Sequence, residues 1–301
     1  MSEMAVGFVG VGRMGSRMAR RVLGAGFAVQ AFDRSGDAMR DAVAAGVQPA
    51  ATVAALAATS DVVITVLPDA TAVEAAIEGA DGVAAGIRAG AMVVEMSTIS
   101  PILTRRLARV IEGRGAHYLD CPVSGGVANA ENGTLTLLVG GTAEALERCR
   151  PVLSSMAASI FHLGPVGAGL TAKLVNQLLT MTQTVLVAEA LAVGARAGMD
   201  LQLLYDLVSK SSGNSWCWEN RIPRMLAKPE DIRVTLNICH KDLGLATALG
   251  KELGVPLFVA SGAFQVLQLA RGMGLGECDV SGLASLYERM LGVPLGTRDE
   301  V

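Results

Sequence analysis

Aromatic residues, histidines and paired cysteines are scarce in this sequence, and each shortage excludes something. Phe, Trp and Tyr make up 4% of the 301 residues, so the core must be built from Ala, Val, Leu and Met, which favours close-packed helices. No CxxC pair occurs, and none of the three histidines lies at ligand spacing to any of the five cysteines, Cys121, Cys149, Cys217, Cys239 and Cys278. We therefore expect reduced thiols in a cytoplasmic protein and no metal site.

A strong charge of one sign and a membrane-spanning segment are lacking as well. The net charge is −3, so nothing recruits nucleic acid or an anionic membrane surface. The longest apolar stretch, 174–195, contains Asn176, Gln177, Gln183 and Glu189, which are costly in hydrocarbon. A hydrophobic fraction of 51% and a charged fraction of 18% instead indicate a globular protein with a sizeable core, long enough for two domains.

A long helix is predicted to join those two domains. The stretch from Gly164 to Ala195 opens on a Gly/Pro hinge and continues as an apolar helical pattern with no internal proline. Short apolar runs alternate with helical patterns before it, whereas only helical patterns follow. We predict an α/β protein with a Rossmann-type, doubly wound sheet in residues 1–164, an interdomain helix at 165–195 and an all-helical domain at 196–301.

The first 33 residues have the order of a dinucleotide site. The apolar run 5–10 predicts a buried strand, GVGRMG follows at once, and a helical pattern leads to a second strand that ends in Asp33. Gly10 would make the turn, Gly12 would leave bare backbone under the pyrophosphate, and Gly15 would allow close helix packing. Free N–H groups at the start of the helix would bind the phosphates.

Asp33 favours NAD over NADP. Its carboxylate would accept hydrogen bonds from the adenosine ribose hydroxyls and repel a 2′-phosphate. Arg34 follows directly and could partly offset that repulsion, or it could be an ordinary surface charge.

Further strand patterns lead to three junctions that carry polar or glycine residues. Strands are predicted at 62–67, 92–96, 116–119, 135–139 and 160–163. Ligands bind beyond the carboxyl ends of parallel strands, so we expect one crevice along the residues 67–69, 97–98 and 120–126. The turn Ser124-Gly125-Gly126 offers amides and a hydroxyl for a carboxylate, although an ordinary glycine turn fits it too. Asp120 could be catalytic, although an aspartate at such a position more often braces a loop.

Polar side chains recur near the start of the long helix and in the second half. Lys173, Asn176 and Gln177 lie at i, i+3 and i+4 and so share one helical face. Helices are predicted at 200–211, 216–227, 241–253, 256–273 and 282–291. Lys241 would then lie near a helix N-terminus, an unfavourable place for a cation, which hints at an anionic ligand. Trp216 and Trp218 could line the active site or pack in the core.

Together these residues resemble the β-hydroxyacid dehydrogenase family, whose members include 3-hydroxyisobutyrate dehydrogenase and tartronate semialdehyde reductase. Five blocks in the family's order carry the resemblance over nearly the whole chain: GFVGVGRMG at 7–15, EMST at 95–98, DCPVSGG at 120–126, GAGLTAKLVNQ at 167–177 and HKDLGLA at 240–246. The sequence departs from the family pattern at Glu95, where aspartate is usual, at Cys121, where alanine is common, and at Gln177, where asparagine is frequent.

The resemblance implies a role for each matching position. Lys173 would be the general acid/base, Ser124, Gly125 and Gly126 would hold the substrate carboxylate, and Asn176 and Gln177 would bind substrate. Contacts with the cofactor are implied for Gly10, Gly12, Arg13, Met14, Gly15, Asp33, Arg34, Leu67, Pro68, Thr98 and Lys241. Those of Leu67, Pro68 and Thr98 would lie near its nicotinamide end. The second domain would be like that of 6-phosphogluconate dehydrogenase.

The implied reaction is hydride transfer between NAD(P), with NAD preferred, and a short 3-hydroxy acid or its semialdehyde. A partly buried lysine suits proton transfer because desolvation lowers its pKa. Three alternatives stay open: a sulfonated-aldehyde reductase, an imine reductase and a non-catalytic dinucleotide-sensing module. The expected partners are the small-molecule substrate and a second copy of the chain, in a homodimer or homotetramer, with neither nucleic acid nor membrane.

Overall fold

The structure is a computed structural model that describes residues 4–295. The strands are β1 (Ala5–Val9), β2 (Ala28–Phe32), β3 (Gln48–Pro49), β4 (Val62–Thr65), β5 (Met92–Glu95), β6 (His117–Asp120), β7 (Val123–Ser124), β8 (Leu135–Gly140) and β9 (Ala157–Gly164). The helices up to the long one are α1 (Gly15–Gly24), α2 (Gly36–Ala44), α3 (Val53–Thr59), α4 (Ala70–Glu78), α5 (Val83–Gly86), α6 (Pro101–Glu112), α7 (Gly126–Asn132), α8 (Ala143–Ser154) and α9 (Ala168–Arg196). Beyond it come α10 (Leu201–Ser209), α11 (Trp216–Ala227), α12 (Leu236–Glu252), α13 (Phe258–Gly272) and α14 (Leu283–Leu291).

The strands form one sheet in the order β3-β2-β1-β4-β5-β6-β8-β7, and β9 pairs with β8. Neighbours from β3 through β6 are parallel, as predicted for a doubly wound fold. The rest differs from the parallel sheet expected, because β8 runs antiparallel to both β6 and β7. After β6 the chain stays beyond the carboxyl edge, where it forms β7 and α7, and β8 returns from there to end opposite Asp120.

The parallel strands end in register. Phe32 pairs with Val9, Val9 with Thr65, Thr65 with Glu95, and Glu95 with Asp120. The chain therefore leaves β2, β1, β4, β5 and β6 along one straight edge. The segments predicted to line a crevice follow these residues directly, so the register places them side by side.

Apolar side chains cover both faces of the sheet, and a separate core lies in the second half of the chain. One face holds a cluster around Phe8, Met18, Ile64 and Leu137, and the other holds a cluster around Leu56, Ile77, Leu107 and Ile111. The third large cluster unites α9 with α11, α12, α13 and α14 through residues such as Leu191, Trp218 and Leu243. All of these residues are Ala, Val, Leu, Ile, Met or Cys apart from a few aromatics, as the composition predicts.

The chain divides into two compact units between Lys173 and Leu174. The boundary falls inside α9, whereas the sequence placed the whole of 165–195 between two domains. Within the described part of the second unit, 174–295, regular structure is helical apart from one isolated bridge between Thr235 and Asp279. An all-helical second half was predicted.

By length and composition alone α9 could span a membrane, as the core helix of a soluble protein also could. Its residues Met181, Val185, Ala188 and Leu191 are buried in the core of the second unit. That packing is the role expected of a core helix.

Candidate active site

The glycine turn after β1 has the geometry that a dinucleotide needs. Gly10 has φ +96°, and a Cβ there would lie 2.3 Å from the carbonyl oxygen of Val66, so only glycine fits. A Cβ at Gly15 would lie 2.1 Å from the carbonyl oxygen of Gly10, which shows how closely α1 packs on the turn. A Cβ at Gly12 would meet nothing within 4 Å. The turn therefore presents bare backbone beside open space.

Helix α1 begins without a side-chain cap within the described residues, unlike most of its neighbours in the sheet unit. Side-chain oxygens cap five other helices there, namely Ser35 on α2, Thr52 on α3, Asp69 on α4, Ser100 on α6 and Thr142 on α8. Among the described residues, no side chain therefore occupies the N-terminal end of α1, where the Ser16 and Arg17 N–H groups bond the Gly12 and Met14 carbonyls. The partial positive charge of a helix N-terminus favours a phosphate there.

Asp33 lies beside this turn and is held by two backbone groups. Its Oδ2 accepts a hydrogen bond from the Val11 N–H at 2.8 Å, and its Oδ1 accepts one from the Ser35 N–H at 2.8 Å. A carboxylate has about four acceptor positions, so capacity remains for ribose hydroxyls. The side chain is only half-buried, and Arg34 next to it is exposed.

Arg13 and Met14 complete the turn. Met14 is the N-cap residue of α1 and packs partly against the core, while Arg13 is exposed and its carbonyl accepts a bond from Arg17 Nη1 at 2.7 Å. The open turn, the uncapped helix and the adjacent carboxylate together fit a dinucleotide, with the pyrophosphate at α1 and the adenosine ribose at Asp33.

The next two junctions are joined by a hydrogen bond. The Leu67 N–H, two residues after β4, donates to Ser97 Oγ at 2.8 Å, and Ser97 follows β5. Leu67 and Thr98 are half-buried, and Pro68 is exposed. The two turns that were predicted to lie near the nicotinamide are therefore neighbours at the carboxyl edge.

Ser124, Gly125 and Gly126 form the third junction, at the point where β7 meets α7. Ser124 pairs with Thr136 of β8, so the turn is anchored to the sheet on one side. Gly125 has φ +125° and Gly126 has φ +70°, and no side chain in the described part of the chain caps α7. Two successive glycines in the left-handed region expose backbone N–H groups, and a Cβ at Gly126 would meet nothing within 4 Å. The turn can accept an anionic group.

Asp120 connects this third junction to the start of α9. Its Oδ1 accepts from the Gly167 N–H at 2.7 Å and its Oδ2 from the Leu170 N–H at 2.8 Å. Burial raises the pKa of this carboxyl, and the two N–H donors and the Arg105 charge oppose that shift. Lys173, one turn beyond Leu170, is 8% exposed. One carboxylate thus fixes the chain leading to Ser124 and the helix bearing Lys173, and it braces a loop as the sequence suggested.

The second unit gathers Asn176, Gln177 and Lys241 through a residue that the sequence analysis missed. Gln177 Nε2 donates to Asp242 Oδ2 at 2.6 Å, and Asn176 Nδ2 donates to Gln177 Oε1 at 3.2 Å. Lys241 Nζ lies 2.9 Å from Asp242 Oδ1 as an ion pair. Asp242 is buried and central to the network. The available signal was an acid within an apolar helical pattern, directly after Lys241.

The prediction that Lys241 lies near a helix N-terminus was wrong. The helix was expected to begin at 241, but α12 begins at Leu236, where Thr235 caps it by accepting from the Ile238 N–H. Lys241 therefore lies in the second turn, away from the unfavourable end of the helix dipole. Lys241 remains a candidate site residue because of its ion pair with Asp242.

The two tryptophans have different environments. Trp218 is 2% exposed, stacks on Tyr205 and donates from Nε1 to the Tyr205 carbonyl at 3.1 Å, so it is a core residue. Trp216 is exposed, and the guanidinium of Arg221 lies 5.3 Å from the centre of its ring. Of the two readings in the sequence analysis, core packing holds for Trp218.

The carboxyl-edge turns and the sheet topology define the class of protein, a Rossmann-type binder of a nicotinamide dinucleotide. Residues 5–164 match the family model described as the NAD binding domain of 6-phosphogluconate dehydrogenase, and residues 167–287 match the NAD-binding model of NADP-dependent 3-hydroxyisobutyrate dehydrogenase. The chain belongs to the β-hydroxyacid dehydrogenase family, as the sequence motifs predicted.

Similarity to curated and solved proteins extends over almost the whole chain. It is 38% identical to 2-(hydroxymethyl)glutarate dehydrogenase of Eubacterium barkeri, with 97% of each chain covered. It is 36% identical to L-threonate dehydrogenase of Cupriavidus necator, covering 94% of this chain and 95% of that one. The crystal structure of 3-hydroxyisobutyrate dehydrogenase from Salmonella typhimurium superposes with a TM-score of 0.85 at 34% identity, covering 94% and 99%. The protein is an NAD(P)-dependent dehydrogenase that acts on CH–OH groups.

Proposed function

We propose that the protein oxidises a short 3-hydroxy acid, or reduces the matching semialdehyde, with Lys173 as the proton-transfer residue. The observation that carries this proposal is the pair of hydrogen bonds from Gly167 and Leu170 to Asp120. Through them the strand end that leads to Ser124-Gly125-Gly126 and the helix turn before Lys173 are fixed to one carboxylate. An anion cradle and a buried amine supported by the same residue suit a substrate that carries both a carboxylate and a hydroxyl.

The residues have separate roles in this proposal. Ser124, Gly125 and Gly126 hold the substrate carboxylate through backbone N–H groups and a hydroxyl. Asn176 orients the substrate, and Gln177 fixes the Asn176 amide through the bond to its Oε1. Leu67, Pro68, Thr98 and Lys241 contact the cofactor, together with the glycine turn, Arg13, Met14, Asp33 and Arg34.

Lys173 manages the proton. A bound NAD(P) would supply the hydride acceptor for the carbon that bears the hydroxyl. The neutral amine of Lys173 takes the hydroxyl proton as the carbonyl forms, and the ammonium returns it to the oxygen in the reverse direction. A proton-transfer group of this kind typically contributes about 10²–10⁴ in rate.

NAD is the preferred cofactor in this proposal. The support is the Asp33 carboxylate, held at the end of β2 with acceptor capacity to spare. A ribose with two free hydroxyls can donate to it, whereas a 2′-phosphate would be repelled.

A second copy of the chain is the proposed partner. On α9 the side chains of Val175, Leu179, Leu186 and Val193 are between 52% and 71% exposed. Spacings of 4, 7 and 7 residues place them in one stripe along the helix. Such a stripe on a soluble protein usually marks an interface, and a dimer or tetramer would bury it. Light scattering on the purified protein measures the mass directly.

Replacement of Lys173 tests the proposed chemistry. We expect Lys173→Ala to lower kcat by about 10²–10⁴ while NADH still binds, because the glycine turn and Asp33 are untouched. Lys173→Arg should recover little, since a guanidinium stays protonated. Lys210→Ala, which removes an exposed lysine at the end of α10, is the control. Activity is followed at 340 nm with 3-hydroxyisobutyrate, glycerate, serine, threonate and 3-hydroxypropionate, and with a sulfonated aldehyde and a cyclic imine as the alternatives.

The proposal has clear ways to fail. A Lys173→Ala variant within threefold of the wild-type kcat, alongside an inactive Lys241→Ala, would reverse the two lysines' roles. If only the sulfonated aldehyde were turned over, Ser124, Gly125 and Gly126 would hold a sulfonate and not a carboxylate. If only the imine were turned over, a hydroxy acid would not be the substrate.

A further inference from the structure

A buried acid lies at the carboxyl edge of the sheet and has no part in the chemistry above. Glu95 ends β5, is 0% exposed, and follows three apolar buried residues, Met92, Val93 and Val94. It pairs in register with Thr65 on one side and Asp120 on the other. A carboxyl buried this deeply is costly unless its oxygens are hydrogen-bonded.

Both oxygens of Glu95 are hydrogen-bonded, and the partners lead to the two cofactor turns. Oε2 accepts from Thr65 Oγ1 at 2.7 Å, at the end of β4. Oε1 accepts from the Ser97 N–H at 2.6 Å, and Ser97 Oγ accepts in turn from the Leu67 N–H at 2.8 Å. One carboxyl therefore links the end of β4, the turn after β5 and the turn after β4 in a closed set of bonds.

The geometry points to Glu95 as a positioning residue, whose hydrogen bonds hold the turn of Leu67 and Pro68 and the turn of Ser97 and Thr98 in one fixed arrangement for the nicotinamide end of the cofactor. The inference rests on the proposed role of these two turns. Glu95 itself lies too deep to touch a ligand, since none of its surface is exposed. It acts through Ser97 and Leu67.

The partners also determine where a proton can reside on this carboxyl. A backbone N–H can only donate, so Oε1 must remain an acceptor for Ser97 in every state. A hydroxyl can donate or accept, so a proton fits on Oε2, with the Thr65 hydroxyl reversed to accept it. The bonds therefore persist in both charge states, and a glutamine, with its Oε1 towards Ser97 and its NH₂ towards Thr65, reproduces the neutral state.

Both charge states are relevant near neutral pH. Burial raises the pKa of Glu95 to about 7, the bonds from Ser97 and Thr65 oppose the shift, and the Asp120 charge adds to it. Tyr118, on β6 like Asp120, is the other titratable neighbour, and its own pKa is raised by burial and by the Glu95 charge.

Three substitutions separate the effect of the length of the Glu95 side chain from the effect of its charge. Glu95→Asp is shorter by one methylene and cannot bridge Thr65 and Ser97 together, so we expect the Kd for NADH to rise about tenfold, the loss of roughly one hydrogen bond to a charged group. Ser97→Ala removes the acceptor for the Leu67 N–H and should raise the Kd severalfold. Glu95→Gln keeps both partners and should stay within threefold of wild type.

Amide hydrogen exchange provides a readout that needs neither cofactor nor activity. Exchange should accelerate at Val66, Leu67 and 96–98 in Glu95→Asp, and at Val66 and Leu67 in Ser97→Ala, whereas Pro68 has no N–H to exchange. The matched control is Ser60→Ala, because Ser60 is equally buried but precedes β4, at the opposite edge of the sheet. That variant loses a bond to the Leu56 carbonyl and one from Gln30 Nε2, and it should leave both the NADH Kd and these exchange rates unchanged.

The outcomes distinguish this inference from the proposed function. Wild-type NADH binding and wild-type exchange in both Glu95→Asp and Ser97→Ala would overturn the positioning role, even if Lys173→Ala lost activity as expected. If Glu95→Asp does not fold, Ser97→Ala alone decides. Full activity of the Lys173→Ala variant would overturn the proposed function. The NADH-binding and exchange results would still decide whether Glu95 positions the two turns.

Discussion

Two buried aspartates hold the long helix α9, one in each unit of the molecule, and they hold it differently. In the first unit Asp120 accepts hydrogen bonds from two backbone N–H groups, those of Gly167 and Leu170. In the second unit Asp242 accepts from the side chain of Gln177 and pairs with the Lys241 ammonium. The first contact fixes the helix itself, and the second fixes the conformations of side chains that project from it.

The difference predicts different consequences of losing each aspartate. Without Asp120 the two N–H groups at the start of α9 lose their acceptor, and water cannot replace it because Gly167 and Leu170 are buried. An unsatisfied buried donor costs about 1–3 kcal/mol. Without Asp242 the Gln177 amide and the Lys241 ammonium are flexible groups that can find other partners. We therefore expect Asp120 to matter first for stability and Asp242 first for substrate handling.

Asp120→Ala should have the largest effect. Two donors lose their acceptor, so the free energy of unfolding in urea should fall by about 3 kcal/mol or more, and kcat should fall with it because the turn before Lys173 is no longer held. Asp69→Ala is the control, since the exposed Asp69 caps α4 through one bond from the Ala72 N–H at 2.8 Å and its loss should cost about 1 kcal/mol. Equal losses for the two variants would show that the two buried N–H groups held by Asp120 cost no more than one exposed helix cap.

Local features of the site could be predicted from the sequence, whereas contacts between distant residues could not. The glycine turn, Asp33 and the three junctions were predictable because apolar runs bounded by glycine or polar residues mark parallel strands and their carboxyl ends. β3 and β7 were missed because two-residue strands carry no periodicity. The bond between Gln177 and Asp242 joins residues 65 positions apart, and no local pattern specifies such a pair.

The start of α12 shows a further limit. The helix begins at Leu236 after its Thr235 cap, but the residues LNICH interrupt the apolar spacing, so the pattern seemed to begin at Lys241. Helix boundaries depend on such caps and on tertiary contacts more than on periodicity. The hydrogen bonds of Glu95 could not be predicted from the sequence either, because they depend on the register between β4 and β5.

The second-largest effect is expected for Glu95, on the way the free energy of unfolding depends on pH. Its pKa is about 7 in the folded protein against an ordinary 4.5, so the native state binds this proton more tightly than the unfolded chain does. That stability is fully present below pH 4.5 and is lost as pH rises through about 7. Between pH 5.5 and 8.5 wild type should lose about 2 kcal/mol more than Glu95→Gln, at 1.36 kcal/mol per pKa unit.

Urea unfolding of both proteins at the two pH values measures this difference. Other titrating groups contribute equally to wild type and variant, so the comparison isolates Glu95 unless the substitution alters Asp120. Parallel stability profiles would mean that Glu95 keeps an ordinary pKa and that its hydrogen bonds fully compensate its burial.

Asp242→Ala should have a smaller effect, mainly on the reaction. Gln177 and Lys241 lose their shared partner, so we expect KM for the substrate to rise about tenfold, equivalent to about 1.4 kcal/mol, with a smaller change in kcat. The free energy of unfolding should fall less than in Asp120→Ala. The control is Asp206→Ala, an exposed aspartate on α10 that accepts a bond from Gln202 across one helical turn. If Asp242→Ala unfolds as readily as Asp120→Ala, both aspartates are structural clamps.

Asp33 provides the finest test of the comparison, because it holds backbone as Asp120 does yet remains half-buried and open to a ligand. Asp33→Asn keeps an acceptor for Val11 or Ser35 but loses the charge, so folding should change little and cofactor choice should change more. We expect wild type to prefer NAD over NADP in kcat/KM by about tenfold and the variant to lose most of that preference. Asp41→Asn, at an exposed position on α2, should keep it. A wild-type enzyme that prefers NADP would show that Arg34 outweighs Asp33, and a carboxylate bonded by two N–H groups would then serve to hold the glycine turn, as Asp120 holds α9.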